Sequence, residues 1–349
     1  MAQLKILSVA YPFAAVSADA VGGAEQVLSQ IDRALVQSGH QSFVIATDDS
    51  RVRGTLLPLP SFGACDMLAD QVMTEQRFRT KELLEKVLRS QYIDVVHMHG
   101  VDFHEYLPEQ LHPLLATLHL PLDWYSPVAL APARPATWLN CVSHDQASRG
   151  TFKPKMLCPI ENGVSVDELA KLNPPRGRYA VMLARVCPEK GQHIALQAAR
   201  LADCSLALAG SVFSYVAHLD YFETQVRPLL DRKRRFIGPV NFRQKRRLLA
   251  SAACLVIPSQ VAETSSLVAM EAASCGTPVV AMRSGALPHV VEHGRSGFIV
   301  DSLDEMAAAM RRVSDIDPDL CRSIARERFS ADRMTNAYID YYYKLRAAA

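Results

Sequence analysis

Short apolar runs alternate with helical patterns along almost the whole chain. This alternation is typical of parallel sheets whose strands are joined by crossover helices. A first series predicts strands at residues 4–10, 43–46, 94–97, 115–118 and 137–142, with a helix at 25–38. A second series predicts strands at residues 180–183, 206–209, 236–237, 254–257 and 279–280, with helices at 193–201 and 243–250. We therefore expect an α/β protein built on two open, doubly wound sheets.

A stretch with several proline and glycine residues, at residues 158–177, separates the two series. It predicts an N-terminal Rossmann-like domain at residues 1–160 and a C-terminal one at residues 161–330. Two such domains facing each other leave a cleft at the carboxyl ends of their strands, where open α/β sheets bind ligands. The tail at residues 330–345 has a helical pattern, with Met334, Tyr338 and either Tyr341 or Tyr342 on one face.

Composition narrows the class of protein. Of the 349 residues, 49% are hydrophobic, so large cores can form. The formal net charge is +2, so no overall field attracts nucleic acid, and we expect none as a partner. We identify no secretory signal and no apolar run of about eighteen residues that would span a membrane. The cysteines lack Cys-x-x-Cys spacing, which indicates free thiols in a reducing compartment and a cytoplasmic protein.

Two glutamates eight positions apart, Glu263 and Glu271, are the main indication of function. If a helix begins near Ser265 and ends at Gly276, its free N–H groups form an anion site between the two acids. At ~1.5 Å per residue the pair spans up to ~12 Å. A nucleotide sugar, with hydroxyls at both ends and phosphates between, fits this spacing. The alternative is a capping acid followed by a surface glutamate.

A cationic loop follows the first strand of the second series. It contains Arg185 and Lys190, which together can hold a diphosphate and stabilise it as a leaving group without a metal. The alternative is a solvated loop in which Glu189 is the local partner of these charges.

A glycine pair, Gly22-Gly23, lies between the first predicted strand and the helix at 25–38. Paired glycines allow a ligand to approach the backbone closely, although loop flexibility is the simpler explanation of the pair alone. The dinucleotide-binding pattern Gly-x-Gly-x-x-Gly is absent from the sequence, which disfavours a nicotinamide enzyme.

Several histidines follow predicted strands of the first series. His119 ends an apolar run and could contact a sugar hydroxyl, although a core or capping histidine is the alternative. His97, His99 and His104 invite a metal interpretation, but neither a carboxylate nor a cysteine completes a ligand set at clear spacing, so we expect no metal. His99 could instead line an acceptor site. No Ser/His/Asp arrangement can be assigned.

Basic residues concentrate at residues 227–247. Such a patch could contact an anionic membrane or an acidic acceptor. A solvated face is the simpler interpretation, and the scarcity of aromatic residues there argues against nucleic acid.

Taken together, these elements resemble the family 4 retaining glycosyltransferases of the GT-B fold. The resemblance covers nearly the whole chain and is most specific at residues 236–300, where Glu263 and Glu271 match the family's Glu-x7-Glu motif. Arg185 and Lys190 match its Arg/Lys pair. The family's last helix crosses back onto the first domain, which implies the same for residues 331–349.

The resemblance also implies a role for each matching residue. Glu263 would hold donor-sugar hydroxyls, Glu271 the ribose, and Arg185 with Lys190 the diphosphate. The other implied donor-site residues are Gly22 and Gly23 at the phosphates, His119 over the sugar, Gly238 and Val240 at the base, and backbone amides around Ser265, Ser266 and Leu267. Two segments depart from the family: Ser265-Ser266 replaces a common Phe-Gly, and His289 replaces the glutamate of Gly-Gly-x-Pro-Glu.

The sequence therefore predicts a metal-independent retaining glycosyltransferase, without cofactor, that uses a UDP- or GDP-sugar. Its acceptor would be a glycan, a lipid-linked saccharide or a small molecule. Tyr11, Phe13, His99 and Trp124 are the candidate acceptor residues. The alternatives are another GT-B enzyme, such as a nucleotide-sugar epimerase or a phosphorylase, and a non-catalytic nucleotide-binding GT-B subunit.

Overall fold

The computed structural model describes residues 2–62, 70–150 and 156–348. The chain divides into two compact units. Unit 1 comprises Met1–Asn162 and Asp332–Ala349, and unit 2 comprises Gly163–Ala331.

Unit 1 is built on a six-stranded parallel sheet with the strand order β3-β2-β1-β4-β5-β6. This is the strand order of doubly wound dinucleotide-type folds. Its strands are β1 (Lys5–Val9), β2 (Gln41–Thr47), β3 (Thr55–Leu59), β4 (Val95–Met98), β5 (Leu114–Leu118) and β6 (Thr137–Cys141). Its first helices are α1 (Gly23–Gln37), α2 (Asp70–Ser90), α3 (Pro127–Leu130) and α4 (His144–Ser148). β4 and β5 are buried at every position, as expected for central strands covered on both faces.

Unit 2 contains a second six-stranded parallel sheet, with the order β12-β11-β10-β7-β8-β9, which is the same winding pattern. Its strands are β7 (Tyr179–Leu183), β8 (Ser205–Ala209), β9 (Arg234–Gly238), β10 (Cys254–Ile257), β11 (Val279–Met282) and β12 (Gly297–Val300). Its helices are α5 (Val166–Ala170), α6 (Gln192–Leu201), α7 (Val216–Tyr221), α8 (Phe242–Ser251), α9 (Leu267–Ser274), α10 (Leu287–Val290), α11 (Leu303–Arg311) and α12 (Pro318–Arg328). The expected α/β class with two doubly wound sheets is confirmed.

The last helix, α13 (Ala331–Ala347), lies almost entirely in unit 1. Its buried face includes Met334, Tyr338 and Tyr342, whereas Tyr341 is only half-buried. The helical period of the tail therefore selects Tyr342 over Tyr341 for the core.

Some elements differ from those that the sequence predicts. β3 and α2 were not predicted: β3 is an edge strand with Pro58 in it, and α2 buries the polar Gln76 and Thr80 beside its apolar residues. Both therefore lack a clean apolar period. α9 begins at Leu267 rather than near Ser265, with Ser266 at the N-cap position but without a capping hydrogen bond from its side chain.

Across the described ranges, no helix combines the length and apolar character that crossing a membrane requires. The cysteines in those ranges are free thiols: Cys141, Cys158, Cys187, Cys204, Cys254, Cys275 and Cys321.

Candidate functional site

An ion pair joins two loops at the carboxyl edge of the unit 2 sheet. Lys190 follows β7, Glu263 follows β10, and Lys190 Nζ lies 2.6 Å from Glu263 Oε1. The Glu263 side chain is 12% exposed and the Lys190 side chain 29%. The pair is therefore partly shielded from water, and a ligand can still reach it.

Backbone contacts fix these two loops against each other. Gln260 N–H donates to the Glu189 carbonyl at 2.8 Å. Gly191 has φ +70°, and a Cβ there would lie 2.6 Å from the Pro258 carbonyl oxygen. The close approach at Gly191 helps to bring the Lys190 side chain within reach of Glu263.

Gly285 supports Glu263 from a third loop, which follows β11. Gly285 has φ +53°, and a Cβ there would lie 2.2 Å from the Glu263 carbonyl oxygen. Ala286 N–H donates to that same oxygen at 2.7 Å, and Ser284 Oγ donates to the Val261 carbonyl. The conformation of the Glu263 loop thus requires glycine at position 285.

Glu271 is buried in α9 and pairs with Lys245 of α8, whose Nζ lies 2.5 Å from Glu271 Oε1. The N-terminus of α9 begins at Ser266 without a side-chain cap. Ser265 and Ser266 therefore precede this helix and Leu267 begins it. The first N–H groups of the helix have no acceptor within the helix itself.

The other donor-site candidates of unit 2 lie at the ends of β7 and β9, two strands that β8 separates in the sheet. Arg185 follows β7, and its guanidinium carbon lies 5.7 Å from the Phe213 ring centroid. Gly238 ends β9 with φ +75° and accepts a hydrogen bond from Gly210 N–H, and Val240 follows it half-buried. The structure brings Lys190 into contact with Glu263 but pairs Arg185 with an aromatic ring.

Glu263 and Glu271 are thus each paired with one lysine. The carboxylates supply hydrogen-bond acceptors and the ammonium groups supply donors. Because the charges are paired at hydrogen-bond distance, the site has no net negative field. Such a site can bind hydroxyls through the carboxylates and phosphate oxygens through the ammonium groups.

Unit 1 contains a buried series of hydrogen bonds between polar side chains, near the carboxyl ends of its central strands. Thr117 Oγ1 donates to Asn140 Oδ1 at 2.7 Å, so it accepts from His97 Nε2, which lies 2.8 Å away. His97 Nδ1 then accepts from the Tyr342 hydroxyl at 2.7 Å. His97 is therefore a structural, neutral histidine fixed by α13.

Two further histidines lie beside His97: His99, which is buried, and His119, which is half-buried. His99 Nδ1 and His119 Nε2 are 3.0 Å apart, and the two rings are stacked. Burial lowers the pKa of His119 to about 3 and the pKa of His99 well below its usual value. Both imidazoles are neutral near pH 7, so they can form hydrogen bonds but cannot serve as a charged acid there.

Gln146 of α4 holds the backbone around His119. Its Nε2 donates to the Leu118 and Leu120 carbonyls at 2.9 and 2.8 Å, while its Oε1 accepts from Val142 N–H. Sequence analysis did not identify this residue, because a glutamine inside a short helix carries no motif.

The remaining candidates of unit 1 occupy different loops. The rings of Tyr11 and Phe13 are 5.3 Å apart, and Trp124 is 44% exposed. Gly22 precedes α1 and Gly23 begins it. A Cβ at Gly22 would collide with the carboxylate of the buried Glu25, and burial raises the pKa of that carboxyl.

Much of the basic patch at residues 227–247 is paired. Arg227 contacts Glu223, Lys233 contacts Asp203, and Arg234 contacts Asp231. Lys245 turns toward Glu271, a partner that the run of basic residues around it does not reveal. These pairs favour the solvated-face interpretation of the patch.

Comparisons with known proteins relate this chain to glycosyltransferases. Residues 167–329 match the model of the family described as glycosyl transferases group 1.

Relatives named D-inositol 3-phosphate glycosyltransferase match short stretches. The protein from Nocardioides sp. is 39% identical over 120 residues, which are 32% of this chain and 26% of that protein. The protein from Mycobacterium sp. (strain KMS) is 34% identical over 166 residues, or 47% of this chain and 36% of that protein. The chain thus matches only about a quarter to a third of these relatives' length.

Solved structures are similar over almost the whole chain. A glycosyltransferase involved in avilamycin A biosynthesis has a TM-score of 0.74 at 23% identity, with 99% of each chain covered. Sucrose-phosphate synthase from Thermosynechococcus elongatus has a TM-score of 0.77 at 19% identity, covering 99% of this chain and 100% of that one. HepE of Anabaena, in complex with UDP and glucose, has a TM-score of 0.73 at 20% identity, covering 98% and 100%. These similarities show the GT-B fold, and the match to the group 1 glycosyltransferase model lies within unit 2.

Proposed function

We propose that this chain is a family 4 retaining glycosyltransferase that moves a sugar from a UDP- or GDP-sugar to an acceptor hydroxyl. The observation that carries the proposal is the Lys190–Glu263 ion pair, which lies in the matched domain shortly before the uncapped start of α9. In this proposal Glu263 accepts hydrogen bonds from donor-sugar hydroxyls, and Glu271 accepts them from the ribose.

The diphosphate is assigned to Lys190, Arg185 and the first amides of α9. The Lys190 ammonium group lies beside the Glu263 carboxylate and compensates its charge. The negative phosphates of the donor therefore do not meet an uncompensated negative charge at Glu263. A helix N-terminus favours the same charge. We accordingly propose that transfer needs neither a metal nor a cofactor.

In the proposed reaction the departing phosphate directs the acceptor to its own face of the sugar, so the anomeric configuration is retained. As the bond between the anomeric carbon and the phosphate oxygen breaks, the acceptor oxygen forms its bond on the same face. The acceptor's proton passes to the departing phosphate oxygen. Lys190 and Arg185 stabilise the charge that develops there, so catalysis is mainly positioning and electrostatics.

Unit 1 is assigned to the acceptor, with Tyr11, Phe13, His99 and Trp124 as its candidate contacts. His119 and Gly22-Gly23 are assigned to the donor. His119 and His99 are neutral near pH 7, so they would orient hydroxyls by hydrogen bonding rather than transfer protons. The relatives' name makes D-inositol 3-phosphate one acceptor to test, beside glycan and lipid-linked acceptors.

We also propose a cytoplasmic location, which is supported by the free and mostly buried thiols. Contact with an anionic membrane through residues 227–247 is a weaker proposal, since four cations of this patch have acidic partners.

Calorimetric titration with UDP and with GDP tests the donor site. We expect one of them to bind wild-type protein and to bind at least ~10-fold more weakly to Lys190→Ala and Glu271→Gln. Lys233→Ala, which removes an exposed ion pair with Asp203 in the same unit, is the matched control and should bind normally. Equal binding by all four proteins would refute the assignment.

Product analysis separates the alternatives. A transferase releases nucleoside diphosphate and forms a glycoside of unchanged anomeric configuration when an acceptor is present. An epimerase would change the donor sugar without an acceptor, and a phosphorylase would require inorganic phosphate. A non-catalytic subunit would bind the nucleotide and turn over none of the donors.

A further inference from the structure

Three side chains with metal-binding atoms converge in unit 2, outside the residues assigned to the donor. They are Cys187, Glu189 and His218, and one ligand atom from each lies within 4.8 Å of the other two. Cys187 is buried, and Glu189 and His218 are half-buried. Within residues 2–62, 70–150 and 156–348 this is the one such group of three or more side chains.

Two of these side chains have polar atoms without a hydrogen-bond partner. Glu189 Oε2 and His218 Nδ1 are both buried, and neither bonds to any residue in the described parts of the chain. A buried polar atom without a partner is costly and uncommon in folded proteins. A cation bound in this group would give the atoms Glu189 Oε2 and His218 Nδ1 the partner that each of them lacks.

The backbone and neighbouring rings hold the group together. Cys187 and Glu189 lie in the loop after β7, and Val186 N–H donates to the Ser211 carbonyl at 2.9 Å. That bond ties the loop to the segment that leads to His218. The His218 ring packs against Tyr215, with the ring centroids 5.0 Å apart. The imidazole is therefore positioned beside the thiol by structure that does not depend on a ligand.

We propose that Cys187, Glu189 and His218 bind a divalent transition-metal ion of the zinc class. Thiolate, imidazole and carboxylate are the ligands that zinc uses in proteins. Tetrahedral zinc bonds of about 2.0–2.3 Å place ligand atoms roughly 3.3–3.8 Å apart, so ligand atoms that lie within 4.8 Å of one another need to move closer by at most about 1–1.5 Å. On binding, the thiol proton leaves to solvent, and thiolate and carboxylate together balance the two positive charges.

The ion braces the loop that carries Arg185 and Lys190, without replacing either cation. Cys187 and Glu189 both lie between Arg185 and Lys190 in the sequence, so fixing the two ligands fixes the loop that carries the two cations. This consequence for the donor rests on the proposed function, whereas metal binding itself does not. The experiment below therefore measures the ion without a sugar donor.

Metal-free protein is titrated with Co²⁺ alone, and the absorption spectrum is followed. We expect one equivalent to bind, with a thiolate-to-cobalt charge-transfer band and the visible bands of a tetrahedral ion, both lost on adding Zn²⁺. Cys187→Ser should abolish the charge-transfer band. His218→Gln should keep that band and weaken binding at least ~10-fold.

Cys204→Ser is the matched control, because Cys204 is another free thiol of unit 2 that lies outside this group. It should behave as wild type. Zn²⁺ in excess should raise the melting temperature of wild type and of the control by ~5 °C, and should leave that of Cys187→Ser unchanged. A charge-transfer band that persists in Cys187→Ser, or Co²⁺ affinity that is equal in wild type and His218→Gln, overturns the proposal.

Discussion

Lys190 illustrates how a single residue can serve both stability and transfer. Its ammonium group lies 2.6 Å from Glu263, where water is partly excluded, so the pair contributes more than a fully exposed ion pair would. In the proposed reaction the same ammonium stabilises the diphosphate as it leaves. The two roles have different magnitudes, and a substitution can separate them.

Replacing Lys190 by alanine should affect the rate far more than the fold. We expect kcat to fall ~10²–10³-fold, because one cation that stabilises the leaving group is lost. The free energy of unfolding should fall by only about 1–2 kcal/mol, because Glu263 keeps some access to water. Steady-state kinetics and urea denaturation measure the two effects, with Lys233→Ala as the control. An unchanged transfer rate would remove Lys190 from the mechanism.

Gly285 is the second residue on which the site depends. An alanine Cβ there would meet the Glu263 backbone and would also have to adopt φ +53°. We expect Gly285→Ala to cost about 2–4 kcal/mol and to lower activity by displacing the Glu263 loop. Gly294→Ala is the matched control, because Gly294 has φ +78° but no atom within 4 Å of an added Cβ. It should cost about 1 kcal/mol and leave activity near normal. Equal losses in thermal denaturation would show that backbone strain alone, and not the contact, explains the effect.

The sequence was informative about some site residues and silent about others, for a physical reason. Glu263 and Lys190 both follow apolar strand patterns, and parallel strands bring their carboxyl ends to one edge, so their proximity could be expected. The pairing of Lys245 with Glu271 depends on how α8 packs beside α9, which no local pattern encodes. The same holds for His218, which meets Cys187 only through tertiary structure.

At the scale of elements, the burial of polar side chains explains why the sequence did not predict helix α2. α2 buries Gln76, whose Nε2 donates to the Pro12 and Pro60 carbonyls at 3.0 and 2.9 Å. A helix that holds loops by such bonds shows a weak apolar stripe, so hydrophobic periodicity does not reveal it. β4 and β5 were predictable because both are apolar along their length, apart from His97 and Thr117.

The histidines at the ends of β4 and β5 give this packing a pH dependence. Burial lowers the pKa of His97, His99 and His119, that of His119 to about 3. Between pH ~6.5 and ~3 the unfolded chain therefore binds protons that the folded chain does not. Stability is highest above pH ~6.5 and falls as the pH is lowered through this window.

Urea denaturation at several pH values between 5 and 7 measures this effect. We expect His99→Gln to reduce the dependence of the unfolding free energy on pH by up to one proton, or about 1.4 kcal/mol per pH unit. His144→Gln, at the exposed start of α4, controls for loss of an imidazole elsewhere in unit 1. If the wild type and His99→Gln show the same slope, His99 is charged in the folded protein and burial does not control its titration.

At the scale of the whole molecule, the two sheets have the same winding, but their chains are organised differently. Unit 2 is continuous, from Gly163 to Ala331, and its sheet has an apolar core on each face. Unit 1 is discontinuous, because α13 returns to it from the other end of the sequence. Tyr338 and Tyr342 of α13 are fully buried there and bond to Thr117 and His97.

This difference predicts unequal independence of the two units. A fragment of residues 163–331 should fold alone and melt cooperatively, since its core is complete. A fragment of residues 1–162 should lack a cooperative transition, because without α13 a buried sheet face is exposed and His97 Nδ1 loses its donor. Circular dichroism melting of the separate fragments tests both expectations.

A third fragment makes this test specific to α13. Arg333 donates to the Glu161 and Asn162 carbonyls, so the two segments of unit 1 meet at the point where unit 2 is inserted. Residues 1–162 can therefore be joined to residues 332–349 by a short flexible linker, and this fragment should regain cooperative melting. The same fragment with Tyr342→Ala should lose about 3–5 kcal/mol, since a large, fully buried side chain is removed. Cooperative melting of residues 1–162 alone would show that the core of unit 1 forms without its last helix.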